Sequence, residues 1–253
     1  MKLWPRDMLR TLLLDIETAP HNVYVWGLYG QNVAINQIRE SGYTLCWAAK
    51  WHGQKGILFD SLKASGMRRM VRHIHKLLDE ADEIVTFNGK KFDIPTLNWE
   101  FLRAGLNPPS PYQHVDLYQD AKRFRKASGK LDYICRELGL GQKTQHKGHE
   151  LWTGCMAGDA ASWRLMERYN RNDVALLEKL YDRTRAWRKT GINRSVYMGD
   201  AVCCKCGSNH LQSRGWAFTA AGRYPRMQCQ ECGTWNRGNL QNREPRKLIG
   251  LMP

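Results

Sequence analysis

Two acidic residues at the end of an apolar run are the first residues in this sequence that could do chemistry. Asp15 and Glu17 lie in the segment LLLDIETAP, which reads as a β-strand. Side chains two positions apart on a strand leave the same face, so the two carboxylates would repel each other and lose hydration. A divalent cation between them would remove that repulsion. The alternative is a strand end that carries two solvated acids.

A third carboxylate, Asp93, follows a second apolar run. In the segment TFNGKKFDIP an Asn-Gly pair turns the chain, and Asp93 stands just before a helix that Pro95 is suited to open. Asp93 could therefore join the first two acids, or it could simply cap the helix.

A fourth carboxylate, Asp173, lies on a long predicted helix in the segment RYNRNDVALLEKLY. Tyr169 precedes it by four residues, so the two side chains would point to the same side of the helix. Tyr112 and Asp116 have the same spacing, but prolines before them argue against a helix there. Taken alone, Tyr169 could equally be a core residue of an amphipathic helix.

These segments resemble, in their order along the chain, the three exonuclease motifs of the DnaQ-like superfamily: DIE, N-G-x-x-F-D-x-P and Y-x-x-x-D. The resemblance is to the subclass with tyrosine in the third motif (DEDDy). The middle motif is similar to that of the proofreading domain of family-B DNA polymerases. The resemblance covers roughly residues 9–187, with weaker similarity at VDLYQDAKRF and KLDYICRELGLGQK. It implies a ribonuclease-H-like α/β fold, a mixed central sheet flanked by helices. No polymerase domain follows, so we expect a free-standing exonuclease of a type that bacteriophages often encode.

The resemblance implies a 3′→5′ exonuclease that uses two Mg²⁺ or Mn²⁺ ions, which suit hard carboxylate ligands. Such ions stabilise the attacking and leaving oxygens of an in-line displacement. Asp15 would bridge the two ions, Glu17 and Asp173 would complete the shell of one, and Asp93 would serve the other. Tyr169 would orient the attacking water.

The same resemblance suggests contacts to the terminal nucleotide by Asn88 and Phe92, and Asp116 is expected to be structural. The favoured substrate is the 3′ end of single-stranded DNA. Two alternatives stay open. One is a non-catalytic nucleic-acid-binding protein on an exonuclease scaffold, although such decay usually removes a metal ligand and all four acids are present. The other is an RNA-trimming or structure-specific nuclease that uses the same metals.

Four of the eight cysteines form a second candidate metal site. The units C-x-x-C-G occur twice with 22 residues between them, and each could place two thiolates on one tetrahedral zinc ion. The predicted ligands are Cys203, Cys206, Cys229 and Cys232. The segment resembles a zinc ribbon, and a structural Zn²⁺ is expected, with Cys204 a spectator.

Aromatic and arginine side chains alternate in this ribbon segment. Trp216 and Trp235 could stack on bases while Arg223 and Arg226 meet phosphates, a combination that suits single-stranded nucleic acid. Alternatively, the aromatic residues form a minimal core and the arginines a solvated face. The sequence leaves both interpretations open.

The net charge points to a polyanionic partner. Thirty-nine Lys and Arg residues against 24 Asp and Glu give +15, which favours nucleic acid or an anionic membrane. No apolar run approaches the roughly 18 residues that span a bilayer, and the first ten residues do not resemble a signal peptide. The sequence therefore predicts a cytoplasmic, nucleic-acid-binding protein without a membrane partner, in the host cytoplasm if a phage encodes it.

The candidate catalytic and metal-binding residues must be positioned by strands and helices. Strands are predicted at Leu9–Glu17, Tyr43–Trp51, Glu83–Asn88 and Val115–Leu117, and helices at Met67–Leu78, Ile94–Ala104, the segment QDAKRFRKA, Leu131–Leu138 and Ala160–Arg188. The composition changes after residue 188, and from Arg183 onward there are 13 basic and 3 acidic residues. We therefore predict an exonuclease domain at 1–190 and a zinc ribbon with a basic tail at 191–253.

Overall fold

The computed structural model falls into two compact units, and it describes residues 9–198, 201–220 and 222–239. One unit is Leu9–Asp182, and the other begins at Arg183. The predicted domain boundary after residue 190 stays a prediction. The basic tail expected at the end of the chain lies outside the described residues from position 240 onward.

The strands of the first unit form a five-stranded sheet and a short two-stranded ribbon. In chain order they are β1 (Thr11–Thr18), β2 (Asn22–Val23), β3 (Ile38–Glu40), β4 (Thr44–Trp51), β5 (Leu58–Ser61), β6 (Glu83–Thr86) and β7 (Gln113–Asp116). The sheet has the order β5-β4-β1-β6-β7, and β2 pairs with β3. β1, β6 and β7 run parallel, whereas β4 and β5 are antiparallel to their neighbours. The predicted mixed sheet is confirmed; β2, β3 and β5 were not predicted.

Helices cover both faces of this sheet. In chain order they are α1 (Leu62–Ser65), α2 (Met67–Asp79), α3 (Asp93–Arg103), α4 (Leu117–Ala121), α5 (Leu131–Glu137), α6 (Glu150–Met156) and α7 (Ala160–Arg183). Leu12, Leu14 and Ile16 of β1 pack against α2 and α3. Leu13 packs with residues of α5 and α7 on the opposite face. Because side chains alternate along a strand, Asp15 and Glu17 lie on the α7 face.

One predicted helix is wrong over most of its length. The segment QDAKRFRKA was expected to be helical, but α4 ends at Ala121 and the basic residues after it form a loop. A continued helix would place Lys122 and Lys126 four positions apart, where like charges repel. The following Ser128-Gly129 pair also favours a loop.

Other predicted elements are found with shifted ends. α3 begins at Asp93, two residues before Pro95. α7 ends at Arg183 rather than Arg188, and a 3-10 turn follows at Arg185–Trp187. β7 lies at Gln113–Asp116, slightly before its predicted position. These shifts leave the order of elements unchanged.

The second unit contains an antiparallel three-stranded sheet. Its strands are β8 (Leu211–Thr219), β9 (Gly222–Cys229) and β10 (Trp235–Arg237), in the order β10-β9-β8. A 3-10 turn at Arg194–Val196 precedes the sheet. None of the described helices in either unit is long and apolar enough to cross a lipid bilayer.

Candidate active site

Three of the predicted acids meet on the α7 face of the sheet. Carboxylate oxygens of Asp15 and Glu17 on β1 and of Asp173 on α7 all lie within 4.8 Å of one another. Asp173 is buried, while Asp15 and Glu17 are partly exposed. Two elements far apart in sequence therefore create one acidic centre that a cation could reach.

The fourth predicted acid, Asp93, lies beside this centre but is not among the three grouped carboxylates. It is the first residue of α3, and its Oδ1 accepts a hydrogen bond from the backbone N–H of Ile16 at 3.1 Å. The residue at the N-cap is Phe92, so Asp93 does not cap the helix. Its carboxylate is instead tied to the backbone between Asp15 and Glu17.

Lys143 lies in the acidic centre, although no sequence pattern pointed to it. Its Nζ donates to the hydroxyl of Tyr169 at 3.0 Å and forms an ion pair with Asp173. The residue lies in the loop between α5 and α6, where its backbone N–H donates to Asp132 at 2.8 Å. One lysine among 39 basic residues carries no sequence signal, and only the fold places it here.

Two further side chains hold the acids of β1. The Nδ2 of Asn170 donates to Oδ2 of Asp15 at 2.6 Å, and the indole Nε1 of Trp152 donates to Oε2 of Glu17 at 3.1 Å. Asn170 could have been found from sequence, because it precedes Asp173 by three residues and shares its helix face. Trp152 lies on α6, a helix that the sequence did not predict.

Tyr169 belongs to both the core and the site. It is 6% exposed and packs within the hydrophobic cluster that includes Met166. Its ring makes edge contacts with His146 and Trp152, with centroids 5.0 and 6.0 Å apart. The hydroxyl nevertheless reaches Lys143 at the acidic centre. The two interpretations of this tyrosine are therefore compatible.

The residues expected near the terminal nucleotide lie in the turn after β6. Asn88 has a left-handed backbone, with φ of 68°, and its N–H donates to Asp116 at 2.7 Å. Asp116 also accepts from the N–H groups of Lys90 and Tyr118. These bonds agree with the structural role expected of Asp116. Phe92 is 44% exposed beside Asp93.

The four predicted cysteine ligands also come together. The sulfur atoms of Cys203, Cys206, Cys229 and Cys232 lie within 4.8 Å of one another. Contacts of 3.6 Å between Cys203 and Cys232 and of 3.5 Å between Cys206 and Cys229 are close to the spacing of about 3.8 Å that tetrahedral zinc thiolates would have, given Zn–S bonds of about 2.3 Å. Cys204 is outside this group.

The two cysteine units have the same local structure. Gly207 N–H donates to the carbonyl of Cys203 at 2.9 Å, and Gly233 N–H donates to that of Cys229 at 3.0 Å. Both glycines have left-handed φ values, 78° and 73°, which a side chain would disfavour. Burial opposes thiolate formation at Cys203, but backbone N–H donors, that of Cys206 foremost, lower its pKa to about 7. A lowered pKa favours the thiolate that binds a metal, whereas burial raises the pKa of Cys206 and that of Cys232, which a bound cation would have to lower.

Arginines stack on the aromatic residues of the second unit. Arg223 lies over the ring of Trp216 at 4.6 Å, and Arg226 lies over that of Trp235 at 5.2 Å. A third pair joins Arg237 and Tyr224 at 5.3 Å. Trp216 and Trp235 are 39% and 53% exposed, so these rings are not a closed core.

The sequence matches one family model over most of its length. The model RNase_H_2, of the RNase_H superfamily, matches residues 12–185. The chain belongs to the RNase H superfamily. The matched range contains all four predicted acids, together with Tyr169 and Lys143. No curated protein sequence matches the chain significantly.

A solved structure shares the fold of this RNase H superfamily member. The family B DNA polymerase from the hyperthermophilic archaeon Pyrobaculum calidifontis superposes with a TM-score of 0.55 and 19% sequence identity. The match covers 70% of this chain and 24% of the polymerase, so the chain spans about a quarter of that protein's length. At this identity the likeness is one of fold.

The acidic centre of this RNase H superfamily member fits divalent metal ions, which nucleases of the superfamily use. Burial raises the pKa of Glu17 to about 8 and that of Asp93 to about 7. Burial, followed by the charge of Asp173, raises the pKa of Asp15 well above its ordinary range. Among the described residues, the buried Oδ1 of Asp173 has no hydrogen-bond partner. A hard cation would offset the repulsion between these carboxylates and would bind the unpartnered carboxylate oxygen.

The raised pKa values predict how pH and metal act on stability. An acid whose folded-state pKa exceeds its unfolded value stabilises the fold below the unfolded pKa, and that stability is lost as pH rises through the folded pKa. Without added divalent metal, stability should therefore fall between about pH 4 and pH 8 as Glu17 and Asp93 ionise. Adding Mg²⁺ or Mn²⁺ should raise the melting temperature by several degrees more at pH 8 than at pH 5.

Thermal unfolding at the two pH values, with and without added Mg²⁺, checks this prediction. The matched control is Glu17→Gln, which keeps the shape of the side chain but cannot ionise. This variant should show a weaker pH dependence in the absence of metal. An equal metal-induced shift at both pH values would contradict the prediction.

Proposed function

We propose that this chain is a metal-dependent 3′→5′ exonuclease that hydrolyses phosphodiester bonds at 3′ ends, with single-stranded DNA as its favoured substrate. The observation that carries the proposal is the grouping of the carboxylates of Asp15, Glu17 and Asp173 within 4.8 Å, in a chain of the RNase H superfamily. Their order along the chain, with Asp93 between them and Tyr169 one helical turn before Asp173, supports the DEDDy subclass.

The four acids would hold the metal ions. Asp15, Glu17 and Asp173, with Asp93 beside them, would bind two Mg²⁺ or Mn²⁺ ions. When bound, the two ions would stabilise charge on the oxygens that enter and leave phosphorus. The bonds from Asn170 to Asp15 and from Trp152 to Glu17 limit the rotation of these carboxylates. We therefore expect the ligand set to be preorganised.

Tyr169 and Lys143 would act on the attacking water. Burial disfavours the charge of Lys143, but Asp173 and Tyr169 more than offset this and raise its pKa above the ordinary value, so it stays protonated. Burial, together with Asp173, raises the pKa of the Tyr169 phenol, which therefore keeps its proton. The Lys143 ammonium donates to the Tyr169 oxygen and fixes its direction. The tyrosine hydroxyl can then orient a water molecule by hydrogen bonding.

Substrate contacts are proposed on both units. Asn88 and the exposed ring of Phe92 would contact the terminal nucleotide, because both lie in the turn that leads into Asp93. On the second unit, Trp216 and Trp235 with Arg223 and Arg226 would contact single-stranded nucleic acid through ring faces and guanidinium groups. We propose that Cys203, Cys206, Cys229 and Cys232 bind one structural Zn²⁺ in a zinc ribbon.

A panel of labelled substrates tests the proposed function. Purified protein with Mg²⁺ or Mn²⁺ is incubated with 5′-labelled single-stranded and duplex DNA and RNA. We expect a ladder of products shortened from the 3′ end, formed fastest on single-stranded DNA. Faster trimming of RNA would assign the same chemistry to a different substrate. Tight binding without any product would favour a non-catalytic binding protein.

Replacing Tyr169 by phenylalanine should slow cleavage on the order of a hundredfold, the lower end of what the loss of one positioned hydrogen-bonding group in an active site costs. The variant loses the hydroxyl that contacts Lys143 but keeps the ring that packs against His146 and Trp152. The Mn²⁺ concentration needed for half-maximal activity should hardly change. Single-turnover kinetics over a Mn²⁺ titration measures both quantities.

The matched control for Tyr169→Phe is Tyr181→Phe on the same helix. The Tyr181 hydroxyl donates to buried Glu83 at 2.6 Å, outside the acidic centre. Its loss should lower thermal stability and leave turnover near normal. If Tyr169→Phe turned over as fast as the wild type, Tyr169 would be a core residue only.

A further inference from the structure

Two basic segments follow the neighbouring strands β6 and β7, and the first of them leads into Asp93. One is the turn at residues 88–92 after β6, and the other is the loop at residues 122–130 after α4. Together they expose six basic side chains: Lys90, Lys91, Lys122, Arg123, Arg125 and Lys130. Arg123 lies 4.0 Å from the carboxylate of Asp120, and we call the other five the basic platform. The platform includes most of the segment that the sequence wrongly predicted to be helical.

The turn is held in place by Asp116, the last residue of β7. Its buried carboxylate accepts from the N–H groups of Asn88 at 2.7 Å and of Lys90 at 3.1 Å. The same carboxylate accepts from Tyr118 at 3.0 Å and so caps α4. One side chain therefore connects the turn to the helix from which the loop emerges.

The loop is held by the ring of Tyr118. This ring makes an edge contact with Phe87, with centroids 5.6 Å apart, and the ammonium group of Lys122 lies 4.6 Å from its centre. A Cβ atom on Gly129 would come within 3.0 Å of the ring, so the far end of the loop lies directly against it. The basic residues are thus carried on an anchored surface.

Within the part of the chain that the structure describes, the charges of the platform have no carboxylate that neutralises them. Among the described residues, Lys90, Lys91, Arg125 and Lys130 form no ion pair with a carboxylate. Of the acidic side chains nearest in sequence, Asp93, Asp116 and Asp120 are buried, and the partly exposed Asp132 pairs with Arg136. An ordinary solvated face mixes charges of both signs, which limits repulsion. A face with positive charge alone attracts a polyanion such as nucleic acid, and its binding releases the cations condensed on the phosphates that the lysines and arginines neutralise.

We propose that the basic platform binds the internucleotide phosphates of the substrate strand on the 5′ side of its terminal nucleotide; this inference rests on the proposed exonuclease function. The turn leads through Phe92 directly into Asp93, so a strand whose 3′ end meets the acids passes over it. The loop extends this positive surface farther from the acids. The platform therefore binds the backbone of a strand several nucleotides long. A mononucleotide derivative bound at the acids would be too short to contact the platform.

The test compares two triple variants with the same change in charge. The platform variant, Lys91→Gln/Arg125→Gln/Lys130→Gln, removes three of the five positive charges of the platform. The control, Arg68→Gln/Arg72→Gln/Lys76→Gln, removes three exposed charges from α2, which packs against β4 and β5 on the other side of β1. Both variants are assayed on a single-stranded DNA 20-mer and on the p-nitrophenyl ester of thymidine 5′-monophosphate, a substrate too small to span the platform.

We expect the platform variant to hydrolyse the small ester at the wild-type rate, which also shows that its acidic centre is folded. Its KM for the 20-mer should rise at least tenfold, whereas the control variant should change it less than about threefold. With Ca²⁺ replacing Mg²⁺ to suppress cleavage, the salt dependence of 20-mer binding should flatten by about 2 in slope, since each phosphate contact on a single strand contributes about 0.7.

Two results would overturn the platform inference. One is an unchanged KM and salt slope in the platform variant, and the other is an equal effect of the α2 control, which would show only a general attraction by net charge. If the wild type hydrolysed neither substrate, the proposed exonuclease function would fail. The salt dependence of binding in Ca²⁺ would then still decide for or against the platform.

Discussion

An Asp15→Ala variant is expected to lose nuclease activity by at least about a thousandfold. Asp15 belongs to the group of three carboxylates within 4.8 Å, and it is one of the proposed ligands of the metal ions. Metal ions contribute several kcal/mol of transition-state stabilisation, and each 1.36 kcal/mol corresponds to a tenfold change in rate. Single-turnover cleavage of a labelled oligonucleotide measures the loss.

The same substitution should leave the fold intact. Asp15 is crowded by Asp173, Asp93 and Glu17, which together with burial raise its pKa. Removing it relieves repulsion between like charges and opens no apolar cavity, but it also removes the acceptor of the bond from buried Asn170, so the metal-free melting temperature should change little. Glu167→Ala is the matched control, because Glu167 is an acid on α7 that pairs with Arg171 at the surface. Full activity in Asp15→Ala would refute the assignment of the site.

Loss of the cysteine cluster should have the largest effect on stability. Binding of structural zinc by four thiolates supplies about 10–16 kcal/mol in small zinc domains, and in such domains this is folding free energy. A Cys229→Ser variant removes one of the four grouped sulfur atoms. We expect it to lose zinc and to expose the segment 203–237 to proteolysis.

Zinc content by elemental analysis, together with limited proteolysis, checks this prediction. The matched control is Cys204→Ser, since Cys204 lies in the same unit but outside the sulfur group. The wild type and this control should each retain one zinc per chain. Full zinc occupancy in Cys229→Ser, or none in the wild type, would contradict a structural zinc site.

The acidic centre could be predicted because local periodicity determines most of it. Alternation along β1 puts Asp15 and Glu17 on one face, and helical spacing puts Tyr169 and Asp173 together on α7. The long-range step, bringing β1 against α7, was implied by the resemblance to the exonuclease motifs, and in the structure apolar residues that flank these acids, Leu13 and Val174, pack in one cluster. Each motif was ambiguous alone, and their order along the chain made the prediction possible.

Lys143 could not be predicted, because it reaches the acids from an irregular loop. Its place depends on α5, on a bond from its own N–H to Asp132, and on the path of the chain toward α6. No periodic pattern encodes such a path. Trp152 was missed for a related reason, because α6 is only seven residues long and its sequence ELWTGCM has no strong helical periodicity.

The wrongly predicted basic helix shows a different limit of sequence patterns. The residues after α4 have acceptable helix propensity, but Lys122 and Lys126 repel, and the ring of Tyr118 provides an anchor for the loop. Tertiary contacts therefore override local propensity. The second unit shows the same limit, since the strands β8 and β9 lie in a segment whose polar and apolar residues do not alternate regularly.

The most direct test of the central claim is to follow the two ends of one oligonucleotide separately. A single-stranded DNA 20-mer carries one label on its 5′ terminus and a different label on its 3′-terminal nucleotide. With Mg²⁺ or Mn²⁺, the 3′ label should be released first as a mononucleotide, while the 5′ label moves down a ladder of single-nucleotide steps. Neither event should occur with Asp15→Ala. Release of the 5′ label first, or internal cuts that leave both labels on oligonucleotides, would contradict a 3′→5′ exonuclease.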